Sequence, residues 1–161
     1  MPSAAERALA RLNELKGKES PPSHWHTVTQ EQIDSFARTT LDDQFIHTDP
    51  ARAAKESPFG TTIAHGFLTL SLMSHLMQST PRPNPDPYEG RLVGINYGLD
   101  RVRFPTPVRA NSRIRATQSL VNVEQKDPRT LQLTHRVTVE IEGESKPACV
   151  AEYVTRAIFA P

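Results

Sequence analysis

The spacing of apolar residues changes once along this chain. Near the start, apolar residues recur every three or four positions after a capping-box pair formed by Ser3 and Glu6, which predicts a helix over residues 4–16. Residues 131–141 instead alternate apolar and polar side chains, which predicts a half-buried strand. Because helical spacing fills the first half and alternation the second, the pattern predicts an α+β fold in one domain.

Two capped helical segments flank position 47. A capping-box pair beginning at Thr29 predicts a helix that lasts to about Thr40, and Asp49 followed by proline predicts a short helix to about Lys55. Residues 42–46, which lie between them, are expected to form a loop or an extended segment. Side chains in such a segment are held between two fixed elements.

The longest apolar helix is predicted from about Ile63 to Gln78. Its apolar residues lie on more than one face, so it should be wrapped by the rest of the fold on most sides. Prolines at every second position from Pro81 to Pro87 then predict a stiff connection without regular structure.

Further strands complete the expected sheet. With the alternating strand, they predict an antiparallel sheet curled around one long central helix. Residues 1–22 are expected to form an extra helix and linker, and residues 23–161 the main domain. The further predicted strands are His24–Val28, Arg91–Phe104, Ser112–Glu124 and Ala148–Phe159.

Composition excludes several classes of protein. The 161 residues carry a net charge of +1, which lacks the basic field typical of nucleic-acid binders. No apolar run approaches the roughly 18 residues of a membrane span, and charged residues interrupt the start where an export signal would be apolar. The single cysteine, Cys149, fits a reducing compartment. We therefore expect a cytoplasmic domain.

The pair Asp42 and His47 is the first candidate for catalysis. A carboxylate and an imidazole can together hold a water molecule and move its proton, which is what hydration of a double bond conjugated to a carbonyl requires. On spacing alone, however, such a pair is more often an ordinary surface feature.

Gly66 lies in the first turn of the long apolar helix. The first N–H groups of a helix lack intrahelical partners, and a residue without Cβ lets a carbonyl oxygen approach them, so an oxyanion site is one interpretation. Close packing of the helix against the sheet is the other. By themselves, Ser74, His65 and His75 are interpreted as structural residues.

Other polar clusters give weaker indications. Arg101 and Arg103 are expected on one strand face, either as a solvated face or as a contact for phosphates. His24 and His26 are not accompanied by a metal-binding motif, so no metal is predicted. Phosphate-loop, serine-hydrolase and redox motifs have no match in the sequence.

Several separated motifs in one order resemble the MaoC-like dehydratases of the hotdog fold, in particular the branch named after nodulation protein N. The resemblance implies a curled sheet around one long helix, and a homodimer. It is carried by Phe36–Pro50, Ile63–Ser71, Gly94–Val108 and Lys146–Glu152.

The resemblance also implies site residues and an activity. Asp42 and His47 would be the dyad of an (R)-specific enoyl-CoA hydratase, with aspartate as base and histidine as acid. Gly66 N–H would bind the thioester carbonyl and Ser74 would support the dyad. CoA would be carried on the substrate, with no separate cofactor.

Two alternatives stay open. The same fold supports acyl-CoA thioesterases, and a non-catalytic acyl-thioester binding protein would need the same pocket. The chain also departs from the hydratase pattern beside the dyad, where Leu41, Gln44 and Phe45 stand at positions that usually hold a small residue, asparagine and proline.

Overall fold

Five helices and five strands make up the computed structural model, which describes all 161 residues. This confirms the predicted α+β class, and most boundaries lie within two residues of those expected. In chain order the elements are α1 (Ala4–Leu15), β1 (His26–Val28), α2 (Gln30–Thr40), α3 (Phe45–Thr48), α4 (Pro50–Glu56), α5 (Gly66–Gln78), β2 (Arg91–Arg103), β3 (Ser112–Asp127), β4 (Thr130–Ile141) and β5 (Cys149–Phe159).

The strands form one antiparallel sheet in the order β1-β3-β4-β5-β2. The three central strands, β3, β4 and β5, alternate buried and more exposed residues, as expected for a sheet with one covered face. β2 pairs only with β5 and is exposed along almost its whole length. One long edge of the sheet is therefore open.

Two hydrophobic cores lie on the sheet. The larger one forms where α5 meets the ends of β3, β4 and β5, and the smaller one forms under α1. Because α1 buries Ala5, Ala8 and Leu12 against β3, β4 and β5, the N-terminal helix is packed onto the same sheet. One stripe of α5 is exposed to solvent. It consists of Phe67, Ser71, His75 and Gln78.

The predicted caps are largely confirmed. Ser3 and Glu6 form the reciprocal capping box, and the Asp49 side chain accepts a hydrogen bond from Arg52 N–H. At α2, Thr29 accepts from Gln32 N–H, but the Gln32 side chain contacts His26 instead of completing the box. These side chains satisfy N–H groups that have no partner within their helices.

Three local predictions were wrong. The long apolar helix begins at Gly66, because Ile63 forms a bridge with Arg109 and Ala64 N–H donates to the carbonyl of Val108. Within the expected loop, Phe45 and Ile46 instead belong to the short helix α3.

The third concerns Arg101 and Arg103. The register of β2 against β5 shifts between Asp100 and Arg103, and Arg101 has a φ of 52°. Such a bulge interrupts the alternation on which their shared face was predicted.

None of the helices is both long enough and apolar enough to span a bilayer.

Candidate active site

His47 is fixed by the two short helices around it. α2 ends at Leu41, which adopts a left-handed conformation with a φ of 64°, and the chain then turns into α3, which carries His47. The Gln30 side chain donates a 2.7 Å hydrogen bond to the His47 carbonyl, and Asp49 caps the helix that follows. The backbone at His47 is therefore held from both sides.

The imidazole of His47 is buried, with an exposed fraction of 7%, and its Nδ1 lies 2.7 Å from the carbonyl oxygen of Ile63. Because a carbonyl only accepts, Nδ1 carries the proton and Nε2 is the free acceptor of the neutral ring. The pKa of His47 is lowered, mainly because burial disfavours the charged ring. The hydrogen bond to the Ile63 carbonyl and the charge of Asp42 act in the opposite direction, while nearby His65 adds to the lowering. The ring is therefore neutral at pH 7.

Asp42 lies beside this ring. One polar side-chain atom from each of Asp42, His47 and His65 lies within 4.8 Å of the others. Asp42 is exposed to solvent while the two histidines are buried. The structure thus brings the two predicted dyad residues together, with the carboxylate on the solvent side.

Gly66 is the first residue of α5 and follows the N-cap residue His65. The N–H groups of Gly66 and Phe67 donate to no acceptor within the chain, whereas the next two amides bond to the His65 carbonyl. Gly66 also lies under the ring of Phe104, so close packing and a free N–H occur at the same residue. Both interpretations of this glycine therefore have structural support.

Ser74 lies at the other end of α5. Eight residues at 1.5 Å each separate it from Gly66 by about 12 Å. Its hydroxyl accepts a 3.3 Å hydrogen bond from Gln78, and it lines a cavity of about 640 Å³. Asp42, His47 and Gly66 do not line this cavity. Within one chain, the structure does not bring Ser74 to the dyad, and its supporting role remains a prediction.

The cavity beside Ser74 lies between α1, the end of α5 and the sheet. Its lining is mixed, with apolar residues such as Met77 and Leu133, the partly buried Tyr88 and the buried His135. Burial lowers the pKa of His135 to about 4 and raises that of Tyr88 to about 12, so both are neutral at pH 7. Charged side chains, including Arg82, Arg91 and Arg156, also line the cavity, so it presents both apolar and cationic groups to a ligand.

The two candidate phosphate contacts lie apart from the cavity. Arg101 is exposed, and its Nη1 lies 3.5 Å from Glu152 Oε1. Arg103 is exposed and donates to the carbonyl of Val102. Neither guanidinium is fixed by a buried partner, and their contact with a phosphate remains a prediction.

His65 was interpreted as structural, yet it touches the dyad directly. Its ring stacks on that of His47 and its Nε2 lies 2.8 Å from the Asp42 carbonyl oxygen. The only sequence signal for this was its position next to Gly66. Asp42, His47 and His65 are also the residues that could offer ligands to a metal ion. The absence of a metal in the mechanism remains a prediction.

Comparison with known proteins identifies the family. Residues 13–142 match the family described as MaoC like domain. The 3-hydroxyacyl-thioester dehydratase Z of Mycobacterium tuberculosis (strain ATCC 25618 / H37Rv) is 49% identical over 151 residues, covering 94% of this chain and 96% of that protein. Nodulation protein N of Rhizobium leguminosarum bv. viciae is 47% identical over 156 residues, covering 97% and 94%.

Solved structures share the fold. An Archaeoglobus monoamine oxidase regulatory protein superposes with a TM-score of 0.71 at 25% identity, covering 91% of this chain and 92% of that one. R-hydratase PhaJ1 from Pseudomonas aeruginosa superposes with a TM-score of 0.67 at 22% identity, covering 92% and 86%. These matches confirm the predicted hotdog architecture. The chain belongs to the MaoC-like dehydratase family, whose members are hydro-lyases.

Proposed function

We propose that this protein catalyses the reversible addition of water to a trans-2-enoyl-CoA, giving an (R)-3-hydroxyacyl-CoA. The proposal rests on one arrangement of groups. The free Nε2 of a neutral His47 lies beside the Asp42 carboxylate, and the start of α5, with its unpaired N–H groups, lies close to both. An acceptor for the water proton and donors for a developing enolate oxygen are the two requirements of this reaction.

In the hydration direction, Nε2 of His47 accepts a proton from water as the water oxygen bonds to C3. The C2–C3 π electrons move toward the thioester, and the Gly66 N–H stabilises the enolate oxygen. The proton then passes through Asp42 to C2, so that one water has been added. In reverse, Asp42 takes the C2 proton and His47 protonates the departing hydroxyl, which matches the roles implied by the family resemblance.

The nature of the substrate is supported by the relatives. One is named a 3-hydroxyacyl-thioester dehydratase and one of the structural neighbours an R-hydratase. For this chain we propose CoA as the carrier, with Arg101 and Arg103 as exposed contacts for its phosphates, and no separate cofactor. The cavity beside Ser74 offers room for an acyl chain that extends along α5 from Gly66. The lone buried Cys149 fits a reaction in the cytoplasm.

A homodimer is part of the proposal. β2 forms an open edge with five exposed large apolar side chains, Leu92, Val93, Ile95, Tyr97 and Leu99. An open edge of this kind is a template for pairing with another strand, and a two-fold axis would let two copies of β2 pair with each other. Light scattering should give twice the 18.0 kDa chain mass, and a monomeric wild-type protein would contradict the dimer.

The reaction is tested with crotonyl-CoA, whose ultraviolet absorbance falls when the double bond is hydrated. Asp42→Asn and His47→Gln should each lower kcat by about 10²- to 10⁴-fold while the circular dichroism spectrum is unchanged. Asp43→Asn and His24→Gln, which change an exposed aspartate and an exposed histidine in the same way, serve as matched controls and should stay near wild type. Full activity in both dyad variants would remove the assignment.

The same assay separates the alternatives. A thioesterase would release free CoA thiol, which a thiol reagent detects, and the hydratase would not. A binding protein would retain enoyl-CoAs of several lengths without turnover. Chiral analysis of the 3-hydroxyacyl product tests the (R) configuration directly.

A further inference from the structure

His65 contacts both members of the proposed dyad and directly precedes Gly66. Its Nε2 lies 2.8 Å from the main-chain carbonyl oxygen of Asp42, and the side chain is 2% exposed. Because the carbonyl can only accept, Nε2 carries the proton and donates it. The segment that presents the Asp42 carboxylate is thus bonded to a residue at the start of α5.

The His65 ring also lies against the ring of His47. Their centroids are 3.8 Å apart and their planes differ by 24°, a stacked arrangement. The ring of Phe36 lies near His65 as well, 5.0 Å away at a tilt of 54°. Since the His47 Nδ1 is already bonded to Ile63, stacking on His65 supplies a second constraint that fixes the plane of the ring and the direction of its free Nε2.

The backbone of His65 links this contact to Gly66. His65 is the N-cap of α5, and its carbonyl accepts hydrogen bonds from the N–H groups of Leu68 and Thr69. The next residue in the chain is Gly66, whose N–H is unpaired. One residue therefore contacts both dyad members and fixes the first turn of the helix that presents the proposed oxyanion donor.

The second nitrogen of His65 is not used in this packing. Its Nδ1 is buried without a hydrogen-bond partner. A buried polar atom left unpaired destabilises the fold, so an apolar residue of similar shape would be the more stable filler if packing were the whole role. The electrostatic interaction between the rings also opposes protonation of His47, after the larger effect of burial.

We propose that His65 is a positioning residue, which aligns the His47 ring and the Asp42 segment with Gly66. This inference rests on the proposed function for its catalytic consequence. Its structural content, the coupling of two imidazole rings, can be measured without turnover.

Two variants separate the contributions of the side chain. His65→Gln keeps an N–H donor for Asp42 and removes the ring, whereas His65→Phe keeps a stacking ring and removes the donor. Each should lower kcat by about 10- to 100-fold with KM changed less than threefold, because misplaced reacting groups slow the chemical step more than they weaken binding. The exposed His24→Gln is the matched control.

The pH dependence gives a readout that a purely structural role would not alter. His65→Gln removes the imidazole that opposes protonation of His47. The acid limb of the pH profile of kcat/KM should therefore move to higher pH than in the wild-type protein. Nitrogen-detected NMR of the histidine rings should show the same movement for the His47 titration in the ligand-free protein. Thermal unfolding measured alongside shows whether the variants are folded.

The outcomes are distinct. If the His47 titration and tautomer are unchanged in His65→Gln and kcat stays within twofold of wild type in both variants, the positioning role is overturned. If the NMR coupling is present but wild-type protein shows no hydration of any enoyl-CoA, the positioning role stands and the proposed function fails. A loss of activity that merely follows the unfolded fraction, with unchanged pH limb and NMR, also overturns the proposal.

Discussion

The aromatic ring of Phe104 lies against Gly66: a Cβ added at position 66 would come within 3.0 Å of Phe104 Cδ2. Contacts that short are rare for Cβ atoms, so the Phe104 ring would have to shift by a few tenths of an ångström, and with Phe104 41% exposed it has room to do so. The structure shows that Gly66 packs under this ring, and close approach of a thioester to the same residue is the separate role that we propose.

Gly66→Ala should lower kcat/KM for crotonyl-CoA by about 10- to 100-fold, because the methyl group keeps the thioester oxygen away from the free N–H. The double variant Gly66→Ala with Phe104→Ala removes the clash and serves as the control. If the double variant regains activity relative to the single one, packing against Phe104 explains the glycine, and the oxyanion role is wrong. Steady-state kinetics on the wild-type protein and these two variants decides between the two roles.

Ser74→Phe should shift the preference toward short substrates. The added ring narrows the cavity of about 640 Å³ at the far end of α5, so kcat/KM should fall more for an eight-carbon enoyl-CoA than for crotonyl-CoA. Ser71→Phe places the same ring on the exposed stripe of the same helix and should leave the ratio unchanged. Equal losses for both chain lengths in Ser74→Phe would instead favour the dyad-supporting role.

Acid should destabilise the protein partly through His135. Burial lowers its pKa from 6.5 to about 4, so the unfolded state binds the extra proton between these values. The contribution of His135 to the free energy of unfolding is complete above pH 6.5 and is lost as the pH falls toward 4. The free energy of unfolding should fall by up to about 1.4 kcal/mol per pH unit in this window, and by roughly 3 kcal/mol in all. The slope of the unfolding free energy in this window, from urea titrations, should be shallower in His135→Gln.

The reference for that experiment is His24→Gln, an exposed histidine whose loss should leave the slope as in wild type. His47 shares the same sign, since its pKa is also lowered by burial, so part of the slope should persist in His135→Gln. An identical slope in wild type and His135→Gln would mean that His135 is not buried as described.

Leu41→Gly should leave stability unchanged or raise it by up to about 1 kcal/mol. Leu41 is 85% exposed and ends α2 with a φ of 64°, a conformation that costs a side chain with Cβ about 1–2 kcal/mol and that glycine adopts freely. The greater freedom of glycine in the unfolded chain offsets part of this gain. Leu41→Ala keeps the penalty, so in chemical denaturation it should be less stable than Leu41→Gly; the reverse order would contradict the strain.

The local pattern of the sequence was sufficient for most of the elements, but it did not by itself define the candidate site. Helix caps and apolar spacing depend on neighbours within a few residues, which is why α1, α4 and the long strands lie close to their predicted bounds. Their position between two capped segments indicates that Asp42 and His47 are held rigidly, their role as a dyad is implied by the family resemblance, and the family match confirms the fold around them. The 12 Å between Gly66 and Ser74 likewise follows from helix geometry alone.

Features that depend on contacts between residues distant in the sequence were decided only by the tertiary structure. Ile63 and Ala64 are extended rather than helical because Arg109 and Val108 pair with their backbone, and Arg101 leaves the regular strand at a bulge against β5. His65 touches Asp42 and His47 because residues 23 and 18 positions apart meet where α5 begins. No pattern of local spacing encodes such a meeting, since it depends on how the sheet and α5 pack once the hydrophobic cores form.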